Sequence, residues 1–503
     1  MATASKTRHA SGSAPFAYGS VLEALSQGLY PDKRHVIREF VQNSYDGLYE
    51  LRKSHPKEAL RPIQIKIEPP SIFIGDFGIG MPEKKMREYR YLGYSEKERP
   101  RHAGFRGIGK YSAVAVADKI IVDSSPYGVQ KRYHVVINAG AMIAALGKDK
   151  NTPLEQLLAE FTGIDEEEAN RDEHYTFVEL HGVRKDANTL FDEEALKRYL
   201  ARTAPVPLDP EFRFSAEIEQ KLSENIPDYL AVNLSLNGQN IYKPYRSRCR
   251  EPEFDAVLYQ DNKPDLLAFA WFCQNEDKGQ FDPKEDSGLV YRVKNLAVGD
   301  GQLTRRTLWE RTPERAFYFF GEIHVLDPDA MPSSDRTDFE DNDARRRLYK
   351  QCTRISSNLS RKAGEESARR RFEEVLVKGN EILSERESKV SSGELPLELK
   401  DEVVFQVQKV QEDVQKRLER SKDEKAISRA RRFLGRSRKF LTTVRKEAKG
   451  FFDLHKALKF DRKVSFLYDT IIQVLKDEFR YDPGRLERII RRIHDALKKK
   501  VSS

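Results

Sequence analysis

The sequence predicts an α+β protein in three parts. These are a mixed α/β unit over residues 16–190, a second α/β unit over 191–340, and a basic helical region over 341–503, with a flexible arm at 1–15 in front. Three observations carry that division. Up to about residue 340, short period-2 apolar runs that end in glycine turns alternate with helix-period segments. Beyond 340 the period is helical. The charge divides at the same place: of a net +8, residues 341–503 carry roughly +15 and residues 1–340 about −7 by sequence count.

The 503 residues suffice for several domains, and 39% hydrophobic content permits real cores, while 33% charged residues point to long solvated helices. Cys249, Cys273 and Cys352 are scattered and form no C-x-x-C pair. Neither a zinc site nor a disulfide framework is expected, and a reducing, intracellular setting is the plain reading. No apolar run approaches the roughly 18 residues of a membrane helix. The opening "MATASKTRHASGSAP" lacks the apolar core of a signal peptide. The expectation is a cytoplasmic protein with no membrane contact.

In order along the chain, "VIREFVQNSYDGLYEL" is helix-periodic, with Val36, Phe40, Val41 and Leu48 largely on one face. "IQIKIEP" and "SIFIGDFGIG" alternate as strands and end in turns. "KYSAVAVADKI" reads as a helix following a glycine loop. "KIIVDSS", "RYHVVIN" and "YTFVELHGV" read as strands, and the charged stretch "KDKNTPLEQLLAEFTGIDEEEANRDEH" as a loop with one helix. In the second unit, "YLAVNLSLNGQNIY" reads as a hairpin turning at Asn237-Gly238. "DLLAFAWFCQ", "SGLVYRVKNLAVGD" and "AFYFFGEIHVLD" are further strands, and no catalytic cluster stands out among them. In the tail, Val403, Val407, Val410 and Val414 recur at 4-3-4 spacing. "SSGELP" breaks the helices near 391–396. "VSFLYDTIIQVLKDEF" and "GRLERIIRRIHDALKKK" read as two amphipathic helices.

Three pieces carry chemistry. Glu39, Asn43 and Asp46 stand at i, i+4 and i+7 of the first helix, so two carboxylates and an amide share a face. Acids held together repel unless they act on water or a metal. "GDFGIGM" supplies Asp76, Gly78, Gly80 and Met81 at the end of an apolar strand. An Asp there can accept a hydrogen bond from a base's exocyclic amine, and the glycines let backbone approach a ligand. "HAGFRGIGKYSAVAVADKI" places Gly104, Gly107, Ile108, Gly109 and Lys110 before a helical signal, where backbone amides bind phosphate. Gly104, Gly109 and Lys110 nearly spell a Walker A loop, but Tyr111 stands where that loop needs a hydroxyl. Each piece alone also has a plain reading: a solvated helix face, a turn, a tight loop.

In this order and spacing the pieces resemble the N, G1 and G2 boxes of the GHKL ATPases, whose nucleotide-binding unit is the Bergerat fold. That family includes gyrase B, HtpG-type chaperones, MutL, MORC proteins and sensor histidine kinases. "GFRGIGKYSAVAVADKI" resembles the chaperone and MORC glycine box, and "LGYSEKERP" the MORC lid, with Ser95 and Lys97 near the phosphates. The resemblance covers roughly residues 16–185. It makes the stretch an ATP lid and the Walker likeness accidental. It implies a Bergerat α/β sandwich that binds ATP and magnesium and hydrolyses ATP. Glu39 is then the general base, Asn43 the magnesium ligand, and Asp46 part of the nucleotide's water network. Asp76 is the adenine reader, and Gly78, Gly80 and Met81 line the base pocket. Gly104, Gly107, Ile108, Gly109 and Lys110 cradle phosphates, and Thr176 supports the adenine-side Asp. The second unit is implied to be a transducer that brings a cation to the γ-phosphate. Arg336 in "PSSDRTDFED" is the candidate and Lys294 the runner-up; the bland reading of Arg336 is a surface arginine paired with Asp335 or Asp338.

The tail resembles no family. "RARRFLGRSRKFLTTVRK" contains no acid, so it reads as a surface for phosphates that includes Arg431, Arg432, Arg436, Arg438 and Lys439; the plain alternative is a solvated basic helix face. Phe433 and Phe440 are expected to face a core. The function implied is an ATP-gated dimeric clamp, MORC-like or MutL-like, that pairs through its N-terminal parts when ATP-bound. It would act on nucleic acid or a nucleic-acid-bound partner, as in prokaryotic defence or genome maintenance. The alternative is an HtpG-like chaperone with protein clients. Glu39 argues against a histidine kinase and against a scaffold that does not turn over.

Overall fold

The structure is a computed structural model that describes residues 32–91, 109–149, 151–245, 248–259, 265–277, 279–393, 395–446 and 450–502. It divides into two units, one ending at Arg361 and one starting at Lys362.

The first unit is built on two sheets. Helix α1 (Arg34–Ser54) opens the described chain. Asp32 Oδ1 accepts from the Arg34 amide at 3.0 Å and closes the first turn. Arg52 and Lys53 sit in the last turn, where the helix dipole favours cations. The helix is buried on more than the one face that its apolar period marks: Glu39, Gln42, Ser44 and Asp46 are buried along with Val36, Phe40, Val41 and Leu48. Strands β1 (Ile63–Glu68) and β2 (Ser71–Asp76), both expected as strands, pair as an antiparallel hairpin with Ile65 opposite Ile74. A short helix α2 (Glu83–Arg87) follows. Then come β3 (Ala117–Ser125), β4 (Lys131–Ile137), α3 (Ala139–Lys148), α4 (Leu154–Phe161), β5 (Thr162–Glu168) and β6 (Tyr175–Val183).

Two sequence expectations need correction here. "KYSAVAVADKI" does not resume a helix: Gly109–Ala115 is a 3₁₀ turn and β3 begins at Ala117. Ser112 Oγ donates back to Gly109 O at 2.6 Å, and Arg184 donates to Val114 O. Those bonds hold the segment tight until the β-branched run takes over. The acidic stretch read as a loop contains β5 as well as α4. Its acids lie along the sheet edge, with Lys131 to Glu166 at 3.0 Å and an Arg132–Glu167 pair, and charge on an edge strand blocks further pairing.

The first sheet has strand order β5-β4-β3-β6-β2-β1-β7-β8. The hairpin β7 (Leu234–Leu236) and β8 (Gln239–Ile241) turns as expected at Asn237 (φ 49°) and Gly238 (φ 81°), both left-handed. It lies within residues 191–340, which the sequence assigns to a separate α/β part, yet β7 pairs in parallel with β1 and extends the first sheet.

Before that hairpin come helices α5 (Glu193–Thr203) and α6 (Ser215–Asn225). After it come β9 (Glu253–Leu258), β10 (Leu266–Gln274), β11 (Gly288–Val293), β12 (Leu296–Val298), α7 (Gly301–Leu308) and β13 (Phe319–Val325). These strands form the second sheet, in the order β12-β11-β13-β10-β9, with β11 and β13 parallel. An aromatic core of Phe212, Tyr245, Phe269, Trp271, Phe281 and Phe320 packs on it.

The second unit is helical. Helix α8 (Asp343–Ser391) enters it, followed by α9 (Lys400–Leu418), α10 (Glu424–Lys446), α11 (Leu454–Leu458), α12 (Arg462–Glu478) and α13 (Pro483–Ser502). Two-residue strands β14 (Leu395–Pro396) and β15 (Phe451–Phe452) pair between them. Val403, Val407 and Val414 are buried in the unit's core with Phe433 and Phe440, as their spacing predicts. On α10, Arg436 donates to Ser384 at 3.0 Å and pairs with Glu387, and Arg429 pairs with Glu373, whereas Arg431, Arg432, Arg438 and Lys439 are exposed. Among the described residues no helix is long and apolar enough to cross a membrane.

Candidate functional site

Helix α1 is the spine of the site. Glu39 is 8% exposed and Asp46 2%, while Asn43 between them is half-buried. The Gly109 backbone runs against the first of these. A Cβ built on Gly109 would stand 2.6 Å from Glu39 Oε2, so the end of the glycine loop lies directly on that carboxylate and a larger residue there would push it aside. About two turns further along, at Gly47, α1 meets the strand-end motif. A Cβ on Gly78 would come within 2.5 Å of the Gly47 carbonyl carbon, and the Ile79 amide donates to Gly47 O at 3.1 Å.

Asp76 ends β2 and is 4% exposed. Its Oδ1 accepts from the Gly78 amide at 2.9 Å, which folds the "DFG" turn back on the carboxylate. Thr176 on β6 is its direct cross-strand partner. Ser124 ties the same corner together: its Oγ lies 3.0 Å from Thr176 Oγ1, donates to Tyr175 O at 2.7 Å, and accepts from the Met81 amide at 2.9 Å. His174 Nδ1 lies 2.8 Å from Gly78 O. Gly80, at φ 70°, has no space for a side chain, because a Cβ there would stand 2.1 Å from Ser125 O. Thus Glu39 and Gly109 meet, α1 meets Gly78, and Asp76, Met81 and Thr176 share one corner. Ser95, Lys97, Gly104, Gly107 and Ile108 lie outside the described residues; of Lys110 only the backbone is described, within the 3₁₀ turn.

From the second sheet's side, a loop reaches α1 beside Glu39. Arg38 is 3% exposed; its Nη2 donates to Asp335 O at 2.9 Å and lies 3.7 Å from Glu39 Oε1. The next residue is Arg336, which is 5% exposed and has a left-handed φ of 56°. The bland reading of Arg336 as a surface arginine is therefore corrected: the loop holds it inside. Asp335 fixes the loop by accepting from Ser333 Oγ at 2.6 Å and Thr337 Oγ1 at 2.8 Å. Lys294, in the turn between β11 and β12, meets a different part of α1, with its Nζ 5.3 Å from the centre of the Tyr49 ring. Burial pulls its ammonium pKa down against the opposing pull of Asp228.

Sequence reasoning missed Arg38, Ser124 and His174. Arg38 adjoins Glu39 in "IREF", but nothing in the helix period marks it as buried. It also missed an ionic cluster inside the first unit. Glu322 (β13) is fully buried and accepts from Lys243 Nζ at 2.7 Å and Arg292 Nε (β11) at 2.6 Å, with His324 Nε2 at 3.1 Å. Arg292 also donates to Arg202 O in the last turn of α5 and to Ala204 O just after it, and Asn295 to Pro205 O and Leu230 O.

The donor set is oxygen throughout, as a hard cation and a phosphate-directed water require. Among the described residues no group of three or more His, Cys, Asp or Glu is placed to hold a metal ion. A magnesium ion carried in by nucleotide phosphates needs few protein ligands, so the Asn43 amide oxygen suits it. The buried Asp76 at a strand end and the glycines pressed against α1 likewise fit a nucleotide.

No model of a known protein family matches the chain. Two partial similarities are found. Chaperone protein HtpG of Helicobacter hepaticus is 29% identical over 135 residues, 22% of this chain and 22% of that protein. The mitochondrial heat shock protein 75 kDa of Rattus norvegicus is 30% identical over 125 residues, 21% of this chain and 18% of that protein. The matches thus span about a fifth of each relative's length. They are weak and partial, and they agree with a GHKL-like relationship.

Proposed function

We infer that the first unit is a GHKL-type ATPase with a Bergerat-type nucleotide fold, working as an ATP-gated switch. One observation carries this reading: the three separate motif pieces converge on α1, with Gly109 on the Glu39 carboxylate, Gly78 on the Gly47 backbone, and Asp76 beside Thr176. Bound magnesium–ATP supplies the transferable phosphoryl group and the charge-neutralising cation. Glu39 orients the attacking water and accepts its proton. Asn43 ligates the metal through oxygen, and Asp46 holds the water network. Asp76 accepts from the adenine amine in a corner shaped by Gly78, Gly80 and Met81 and braced by Thr176. Gly104, Gly107, Ile108, Gly109 and Lys110, with Ser95 and Lys97, take the phosphates. Arg336 offsets charge on the transferred group; its burial and its loop's bond to Arg38 support that role over Lys294.

In this reading ATP closes the lid and pairs two N-terminal units. The exposed cations of the acid-free stretch from Arg429 to Lys446 on α10 support nucleic acid as what the switch acts on. The similarity to a chaperone and to a heat shock protein favours a second reading, with protein clients. The nucleotide site is tested by calorimetric titration with ATP and ADP. The parent chain should bind both, and Asp76→Asn should lose at least about tenfold in affinity, as expected when a buried charge-assisted hydrogen bond is removed. Equal affinities would remove Asp76 from the site.

A further inference from the structure

A cavity of about 620 Å³ lies between α1, the segment that follows α6, the turn between β11 and β12, and the loop after β13. That volume is ordinary for a small-molecule site. Tyr45, Ile226, Leu230, Leu266, Val325 and Met331 give it a largely apolar wall, and Lys294 joins them. The backbone places Lys294 there against local preference. Residues 294 and 295 alone connect β11 to β12, and both are left-handed, at φ 53° and 60°. Two-residue turns of that kind favour Asn, Asp and Gly. Asn295 obeys the rule, and its amide is taken up by Lys243, Pro205 O and Leu230 O. A lysine breaks it, and a residue that breaks a local rule marks a place where its side chain is needed. The Lys294 ammonium is half-buried, and among the described residues it makes no hydrogen bond or ion pair. Burial disfavours its charge. The charged groups around it are committed elsewhere. Asp228 accepts from the Tyr49 hydroxyl at 2.9 Å, Asp327 pairs with Arg347 at 2.7 Å, and Arg292 is held by Glu322 at 2.6 Å.

We propose that this cavity binds a small carboxylate with an apolar body, the body against the apolar wall and the carboxylate on the Lys294 ammonium. A single cation balances a single negative charge. A phosphate monoester would carry a second charge into apolar surroundings without a donor to match it. A neutral molecule would leave the half-buried ammonium unpaired. The cavity is separate from the nucleotide site. Lys294 meets α1 at Tyr49, ten residues past Glu39, or about 15 Å along the helix.

The test needs no nucleotide, so it is independent of the ATPase reading. Titration calorimetry of the full chain uses 2-naphthoate and its neutral amide, 2-naphthamide. 2-Naphthoate should bind one per chain with a Kd of about 100 µM or tighter, an ordinary efficiency for a ligand of that size. 2-Naphthamide should bind at least about tenfold more weakly. Lys294→Met keeps the stem and removes the charge, so it should bring the two affinities within about twofold of each other. Met331→Trp, which narrows the apolar end, should weaken both at least about tenfold. Circular dichroism and the melting temperature report that each variant is folded. Lys294→Met breaks no hydrogen bond or ion pair among the described residues, so it carries the test where Met331→Trp does not fold. No binding of 2-naphthoate at about 1 mM, an amide that binds as well as the acid, or a preference for the acid that survives Lys294→Met would each overturn the proposal.

Discussion

Arg336 is held where an unconstrained arginine would not stay. Its left-handed φ of 56°, its 5% exposure and the Ser333–Asp335–Thr337 hydrogen bonds around it fix one residue at the end of a turn. A non-glycine residue with positive φ is strained, and such strain concentrates at functional positions. If it senses the γ-phosphate, Arg336→Ala lowers turnover by the equivalent of about 2–4 kcal/mol of transition-state stabilisation and leaves ADP affinity near the parent value. Steady-state hydrolysis alongside ADP titration measures both, and unchanged turnover would pass the role to Lys294. The sequence made Arg336 a candidate through "SSDRTD", but its burial was not legible. That burial depends on Arg38, which reaches Asp335 O across 297 residues of chain.

At the scale of elements, the buried cluster on β11 and β13 sets how firmly the second sheet is tied to the segments after α5. It holds two cations, Lys243 and Arg292, against one anion. Burial works to raise the Glu322 carboxyl pKa, but the Arg292 and Lys243 charges outweigh it and hold it well below the usual range. Glu322→Gln would leave two buried cations unmatched and should cost on the order of 3–5 kcal/mol in urea unfolding. Lys243→Met leaves a balanced Arg292–Glu322 pair and should cost distinctly less. Equal losses would show that charge balance is not what the cluster supplies. Burial, and then the neighbouring cations against Glu322, bring the His324 imidazole to about 4. The unfolded chain takes up that proton near pH 6.5 and the folded chain does not. Stability should therefore be full above pH 6.5 and fall on acidification towards 4, by about 2 kcal/mol at pH 5 from this group. A His324→Gln variant should show a shallower slope of melting temperature over that window, and an unchanged slope would remove His324 as the source. The cluster was illegible because "YRVKN" and "GEIHV" show the same alternation as half-solvated strands, and only the pairing of β11 with β13 turns their charges inward. By contrast, the hairpin at Asn237-Gly238 was legible because its turn is decided by two adjacent residues. "KYSAVAVADKI" misled because its small residues suit a helix, while its tertiary bonds impose a 3₁₀ turn and a strand.

Over the whole molecule, charge separates a near-neutral first unit from a basic second one, and that division was plain in composition. What it is for depends on which cations remain exposed. Arg429 and Arg436 pair with Glu373 and Glu387, so the set proposed to face phosphate narrows to Arg431, Arg432, Arg438 and Lys439. Changing these four to Gln in the full chain should flatten the salt dependence of duplex binding by up to about 3–4 units of log–log slope. Binding with an unaltered slope, or none at low salt, would favour a protein client. The motifs gathered on α1 are proposed to form a hydrolytic ATP site. Its most direct test is Glu39→Ala, followed in one preparation by ATP titration and by phosphate release. ATP affinity should stay at the parent value while turnover falls at least about a hundredfold, because only water activation is lost. Phosphate release at the parent rate would contradict it.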